Sequence, residues 1–345
     1  YFGNIGRDFG FSDALLSEVQ PYLRYSVGTH GARLYYNLSN IHHCIGSAPF
    51  GTQLSAAFDG FVGVDDEGKT GGKTKTRATA RIASQFERIR VGLSATLSLS
   101  TLSKRVDRFE ARADEFARDS QPEALDHANI SALLALYRRF LDIRFRCWTD
   151  ASLADVAATL SYATLKSLLR YRIDDEAAET LPATLLLAIP DVVSAGAVES
   201  LWGLSRMAQA NSELCRAFEE TEKTKNWEAL YRSLKVCAPR FYRAFTSHLE
   251  CWGFRVSGEL MLSVACYQEE PARLLPIIAG YIGLEGPSPE SCTGAQVRRR
   301  EAALADACER LGWCWSPLLR WVLGSTQKNI GYRERVRLKQ ALLYR

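Results

Sequence analysis

Three absences narrow the reading of this chain at once. No Cys-x-x-Cys pair occurs among its nine cysteines, no apolar run approaches the length that spans a bilayer, and a formal net charge of +4 over 345 residues is slight. Cys44, Cys147, Cys215, Cys237, Cys251, Cys266, Cys292, Cys308 and Cys314 are scattered and odd in number, which excludes a disulfide framework and reads as reduced thiols in a cytosol. The most apolar window, 181–193, is broken by Pro182 and Pro190 and falls short of the roughly 20 residues a membrane helix needs, so no membrane partner is expected. Nucleic-acid binding asks for Lys and Arg clustered on one face, and so slight a charge does not point to that partner. The chain begins at Tyr1 without Met or a charged leader followed by an apolar core. That start argues against a signal peptide and suggests a piece of a longer cytoplasmic protein.

What is present describes a globular chain: 47% hydrophobic and 24% charged residues. A chain of this length can bury about 75% of its unfolded surface without metal or disulfide staples. The first 65 residues are rich in Gly, aromatics and short alternating runs, and Arg33-Leu34-Tyr35-Tyr36-Asn37-Leu38 is the best strand candidate. Apolar residues then return at three and four over 50–62, and 63–76, with four glycines and three lysines, reads as an exposed loop. Beyond it the period becomes helical. Ile82, Phe86, Ile89 and Leu93 share one face, as do Leu102, Val106, Phe109, Ala113 and Phe116. A second long helix is expected from Pro122 through Leu133, Leu136, Phe140, Ile143 and Cys147, and a third from Asp150 or Ser152 to about Tyr171. After a Pro-broken connection at 181–197, helices are expected over 198–220, 227–252, 271–282, 295–311 and 317 to the end. The fold class is therefore mainly α: a multi-helix domain over 76–345, with a small β element inside a mixed N-terminal subregion, 1–75.

Motifs of known chemistry are mostly better explained as structure. Gly63-Val64-Asp65-Asp66-Glu67-Gly68-Lys69-Thr70 fits the phosphate-cradling G-x-x-x-x-G-K-T pattern. Three successive carboxylates would repel a triphosphate, however, and Gly71-Gly72 spoils the helix whose N-terminus must face it. The five histidines, His30, His42, His43, His127 and His248, form no metal pattern. The acidic run Asp174-Asp175-Glu176-Ala177-Ala178-Glu179 invites comparison with the magnesium-binding helix of terpene cyclases, but Asn211-Ser212-Glu213 lacks the spacing of a second metal motif. An acidic first helical turn explains the same run. Metal ligands are accordingly not expected.

Two constellations carry more. In Trp252-Gly253-Phe254-Arg255-Val256-Ser257-Gly258-Glu259-Leu260-Met261 a helix ends in Gly, and Arg255 and Glu259 stand on a glycine-containing turn, where they could grip an anion or hold two helices together. In Tyr332-Arg333-Glu334-Arg335-Val336-Arg337-Leu338-Lys339 the pair Arg333 and Arg337 shares one helix face and Arg335 and Lys339 another. A solvated charged face explains this second run equally well.

These stretches, with Tyr267-Gln268-Glu269-Glu270-Pro271 between them and Gly31-Ala32-Arg33-Leu34-Tyr35-Tyr36-Asn37-Leu38 upstream, resemble the middle region of phosphoenolpyruvate-utilising enzymes of the phosphoenolpyruvate synthase and rifampicin phosphotransferase type. The resemblance covers nearly the whole chain. It implies a parent enzyme with an ATP-grasp domain, a mobile phosphohistidine domain and a domain that binds the phosphate acceptor, this chain being the last. Thr246-Ser247-His248-Leu249 is the one lookalike of the phosphohistidine signature, and it lacks the preceding glycines inside an expected helix, so no catalytic residue is assigned. The acceptor contacts the resemblance suggests are Arg33, Tyr35, Asn37, Arg255, Glu259, Arg333 and Arg337. ATP and magnesium belong to the parent enzyme, not to this domain. Phe254 replaces a histidine common in relatives, and Val256 and Met261 replace smaller or acidic residues, which implies a hydrophobic small-molecule acceptor. The rival classes are a non-catalytic helical scaffold and a magnesium-dependent terpene-type cyclase.

Overall fold

The computed structural model describes residues 2–30, 33–47, 51, 55, 85–173, 175–190, 192–193, 195–255 and 264–344. The described chain is mostly helical. The loop expected over 63–76, its phosphate-loop match, most of the apolar period over 50–62, Asp174 and Glu259 lie outside these residues. Val27–His30 pairs antiparallel with Arg33–Tyr36, Val27 opposite Tyr36 and Thr29 opposite Leu34. Two strands of four residues form no layer of their own, and the architecture is helical rather than helical with a β element.

The chain divides into two compact units: 1–112, 128–179 and 317–333 form the first, and 113–127, 180–316 and 334–345 the second. In the first, the apolar period of helix Leu102–Asp119 turns inward, so that Leu102, Val106 and Phe109 are almost fully buried, and Phe109 meets the Trp148 ring edge-on at 5.9 Å. Helix Trp148–Arg172 presents Ala151, Ala154, Ala157 and Ala158 as a small-residue stripe. Thr326 Oγ1 donates to Ser161 O at 3.1 Å, Asn329 Nδ2 to Ala157 O at 3.5 Å and Arg333 Nε to Asp155 Oδ1 at 3.1 Å. The descending partner numbers show that helix Ser316–Leu343 packs antiparallel to it.

The N-terminal helix Phe2–Asp8 stops at Gly10, whose φ of +73° only glycine adopts easily and whose Cβ position would lie 2.5 Å from Ser94 Oγ. Ser98 Oγ donates to Asp8 O at 2.9 Å. This close approach through small serines corrects the expected inner face of helix Gln85–Ser100: Val91 and Ser98 are buried, while Ile89 and Leu93 are more than 60% exposed.

The helix expected from Pro122 through Cys147 is three pieces. Pro122–Asp126 ends after five residues; Asn129 then starts Ile130–Asp142 by accepting from Ala132 N at 2.9 Å, and a π-turn, Ile143–Cys147, leads into Trp148.

The second unit is built on a continuous apolar cluster: Leu204 and Ala208 from Ala195–Gln209, Leu214 and Phe218 from Ser212–Thr224, Leu230 and Leu234 from Trp227–Cys237, Phe241 and Phe245 from Pro239–Trp252, and Leu275 and Ile278 from Leu275–Ile282. The helix expected over 198–220 is split where Asn211 accepts from Glu213 N and Leu214 N, both at 3.1 Å. The one expected over 227–252 is split at Ala238, because Pro239 restricts its predecessor and lacks the N–H that a continuous helix needs. Residues 181–185 of the expected connection complete the helix Asp175–Leu185, which contains Pro182. All nine cysteines are free thiols, and no described helix is long and apolar enough to cross a membrane.

Candidate functional site

The acceptor candidates fall on separate elements. In the first unit, Tyr35 stands on the strand Arg33–Tyr36 opposite Gly28 and is half exposed, and Arg33 opens the same strand opposite His30. Asn37 does local structural work: its Oδ1 accepts from Asn40 N at 3.1 Å and starts helix Leu38–Gly46, and Asn40 Nδ2 donates to Tyr25 O at 3.1 Å. Arg333, partly buried, is paired to Asp155 at 3.1 Å.

In the second unit, Arg337 lies exposed on the last turns of helix Ser316–Leu343. Lys339, on the other face of that helix, is paired with Asp114 at 2.5 Å.

Arg255 is placed by backbone closure around its loop. A Cβ at Gly253 would stand 2.4 Å from Leu249 O, so glycine lets the chain leave helix Pro239–Trp252 there. Arg255 N donates to Trp252 O at 3.0 Å, Gln268 N to Gly253 O at 2.8 Å and Tyr267 N to Arg255 O at 3.4 Å, which ties the two ends of the loop together. On the far end Cys266 N donates to Glu269 Oε2 at 2.7 Å. Arg255 is thereby held, half-buried, beside Tyr267.

Of the acidic run, Glu179 is engaged by Lys166 at 2.7 Å and by Arg170, and these hydrogen bonds, that from Lys166 foremost, hold its carboxyl below the usual range. Among the described residues no group of three or more His, Cys, Asp or Glu is placed to hold a metal ion.

A polar group that sequence reasoning missed lies in the first unit. Arg105, Arg108 and Arg112 share a face of helix Leu102–Asp119 and converge on the stretch 147–150. Arg105 Nη1 donates to Asp8 Oδ2 at 2.8 Å and to Asp150 Oδ1 at 3.3 Å, Arg108 Nη1 lies 3.9 Å from Asp150 Oδ2, and Arg112 Nη1 approaches Cys147 Sγ at 2.5 Å. Arg144 stacks over the Trp148 ring at 4.5 Å. Burial pushes the Asp150 carboxyl pKa up, outweighing the nearby Arg105 and Arg108 guanidiniums. The signal was available: three arginines at spacings of three and four beside a buried stripe.

His248 is almost fully buried in helix Pro239–Trp252, its Nδ1 2.8 Å from Ser200 Oγ, and burial lowers its pKa. The unfolded chain therefore binds this proton more readily, so the stability His248 contributes is intact above its unfolded pKa, about 6.5, and declines as pH falls below it. Melting temperatures measured from pH 8 to pH 5 should drop across that window, and His248→Gln should flatten the drop; an unchanged slope would show that another group controls it.

No curated protein matches the chain. A protein-family model, that of the rifampicin phosphotransferase fourth domain, matches residues 151–334 and so includes both Arg255 and Arg333. With more than half of its length inside that match, the chain belongs to the rifampicin phosphotransferase fourth-domain family.

Proposed function

We propose that this chain is the phosphate-acceptor-binding part of an ATP-dependent, phosphoenolpyruvate-synthase-like phosphotransferase acting in the cytoplasm, with the phosphohistidine and ATP-grasp domains supplied elsewhere in the enzyme. The family match carries this reading, because it spans the two arginines, Arg255 and Arg333, that the sequence motifs single out. In the first unit the reading assigns acceptor contacts to Arg33, Tyr35, Asn37 and Arg333, and in the second to Arg255 and Arg337; from the sequence motif it adds Glu259. Phosphoryl transfer needs little covalent chemistry from such a domain. Its part is to hold the acceptor hydroxyl in line and to present guanidiniums to the charge spread over the transferring group.

The test is calorimetry of this chain with rifampicin in the absence of ATP. Micromolar heat of binding supports the reading. Silence, in a chain whose full enzyme phosphorylates the antibiotic, would place the acceptor site elsewhere. In the same instrument magnesium ATP should give no heat, because the phosphate-loop match carries three carboxylates and is followed by Gly71-Gly72, which disfavour a helix. A micromolar affinity abolished by Lys69→Ala would reverse that expectation.

A further inference from the structure

We propose that the arginine face of helix Leu102–Asp119, where it meets residues 144–150, is a binding site for a phosphoryl-type dianion. This inference is independent of the acceptor role, since the face lies outside the residues that carry that reading.

Charge is the first observation. Three guanidiniums, of Arg105, Arg108 and Arg112, gather around two carboxylates, of Asp8 and Asp150, and the Arg144 guanidinium lies over the neighbouring Trp148 ring. Arg105 bridges both carboxylates. Arg112 is turned to the sulfur of Cys147 rather than to a carboxylate, and Arg108 reaches Asp150 only at 3.9 Å. The forks of Arg108 and Arg112 are one helical turn apart, the arrangement in which two guanidiniums can each offer paired N–H donors to one tetrahedral anion.

An orphaned hydroxyl is the second. Thr149 Oγ1, in a residue 7% exposed, is a buried side-chain oxygen with no hydrogen-bond partner among the described residues. Further along the same helix, Thr159, Ser161 and Thr164 each return their hydroxyl to the carbonyl four residues earlier. Thr149 follows the π-turn Ile143–Cys147, where the backbone hydrogen bonds run to the fifth residue back rather than the fourth. A buried hydroxyl is seldom left without a partner, and this one stands in the same turn as Cys147 and Asp150. Access is the third: the Arg108 side chain is 58% exposed while Asp150 is 15% exposed, so the face is open on the side of Arg108.

The source of the dianion is either a free phosphate ester or a phosphoryl group carried on nitrogen, so the experiment uses inorganic phosphate, glycerol phosphate and phosphoramidate, with acetate as a monoanionic control, titrated into this chain at low salt. Dissociation constants at or below about 1 mM for at least one phosphoryl probe, with acetate much weaker, are expected. Preference for phosphoramidate would identify the nitrogen-borne phosphoryl and preference for glycerol phosphate the ester. Arg108→Gln should weaken binding about tenfold without changing the melting temperature, and Thr149→Val should weaken it several-fold in a fold at least as stable, because the valine leaves no unmet hydroxyl. Arg112→Gln is expected to act similarly, and should it fail to fold, Arg108→Lys, which keeps the charge and loses the fork, gives the same discrimination. Absence of binding by all three phosphoryl probes at about 10 mM, equal binding of acetate, or binding unchanged in Arg108→Gln overturns the proposal and makes the face a structural ion-pair network.

Discussion

Phe245→Ala is expected to destabilise the second unit by about 3–5 kcal/mol, the range for truncating a buried aromatic side chain. Phe245 is fully buried, stacked on Phe241 at a centroid distance of 6.2 Å and tilted against Tyr231 at 6.0 Å. The ring belongs to the cluster in which Leu234, Leu249, Leu275 and Ile278 are also buried. Its removal takes away transfer free energy and leaves a cavity that several helices would have to close together, which packed helices do poorly. Val236 is the contrast: in the same unit but 86% exposed, its change to alanine should stay within about 0.5 kcal/mol. Denaturant midpoints for the two variants provide the comparison. A loss below about 1 kcal/mol for Phe245→Ala would mean that the cluster is loosely packed, and the description of the second unit would need revision.

The apolar packing of the helices was readable in part. The stripe Leu102, Val106, Phe109, Ala113, Phe116 is legible because period and burial coincide, and each member is buried. The stripe through Ile89 and Leu93 fails for a physical reason: a close backbone approach at Gly10, Ser94 and Ser98 decides which face turns inward, and serines carry no apolar signal. Helix ends were harder still. Asn129, Asn211 and the Ala238-Pro239 step each end an apolar run that continues on both sides, so periodicity fuses helices that a single cap separates.

The candidate site divides in a similar way. Motif resemblance singles out Arg255 and Arg333 in sequence, but Asp155, which holds Arg333, lies 178 residues away and only packing reveals it. The Arg105, Arg108 and Arg112 face is missed because its partners, Asp8 and Asp150, come from distant segments. Asn37 shows the limit from the other side: a motif residue whose visible role is to cap a helix.

Arg255→Lys in the full enzyme should lower turnover tenfold or more, equal to about 1.4 kcal/mol of transition-state stabilisation, with little change in melting temperature. The backbone of Arg255 is hydrogen-bonded on both sides, its N to Trp252 O and its O to Tyr267 N, so the side chain leaves from a fixed base. Lysine keeps the charge but offers a single ammonium in place of a planar fork, and a phosphoryl group spreading charge over three oxygens distinguishes the two more sharply in the transition state than in the ground state. The loss should therefore fall on kcat and on kcat/KM alike. If Arg255 instead braces the loop mouth, the pattern inverts: the variant melts several degrees lower and, once folded, turns over normally. That result would withdraw Arg255 from the acceptor site and leave the loop closure as its whole role.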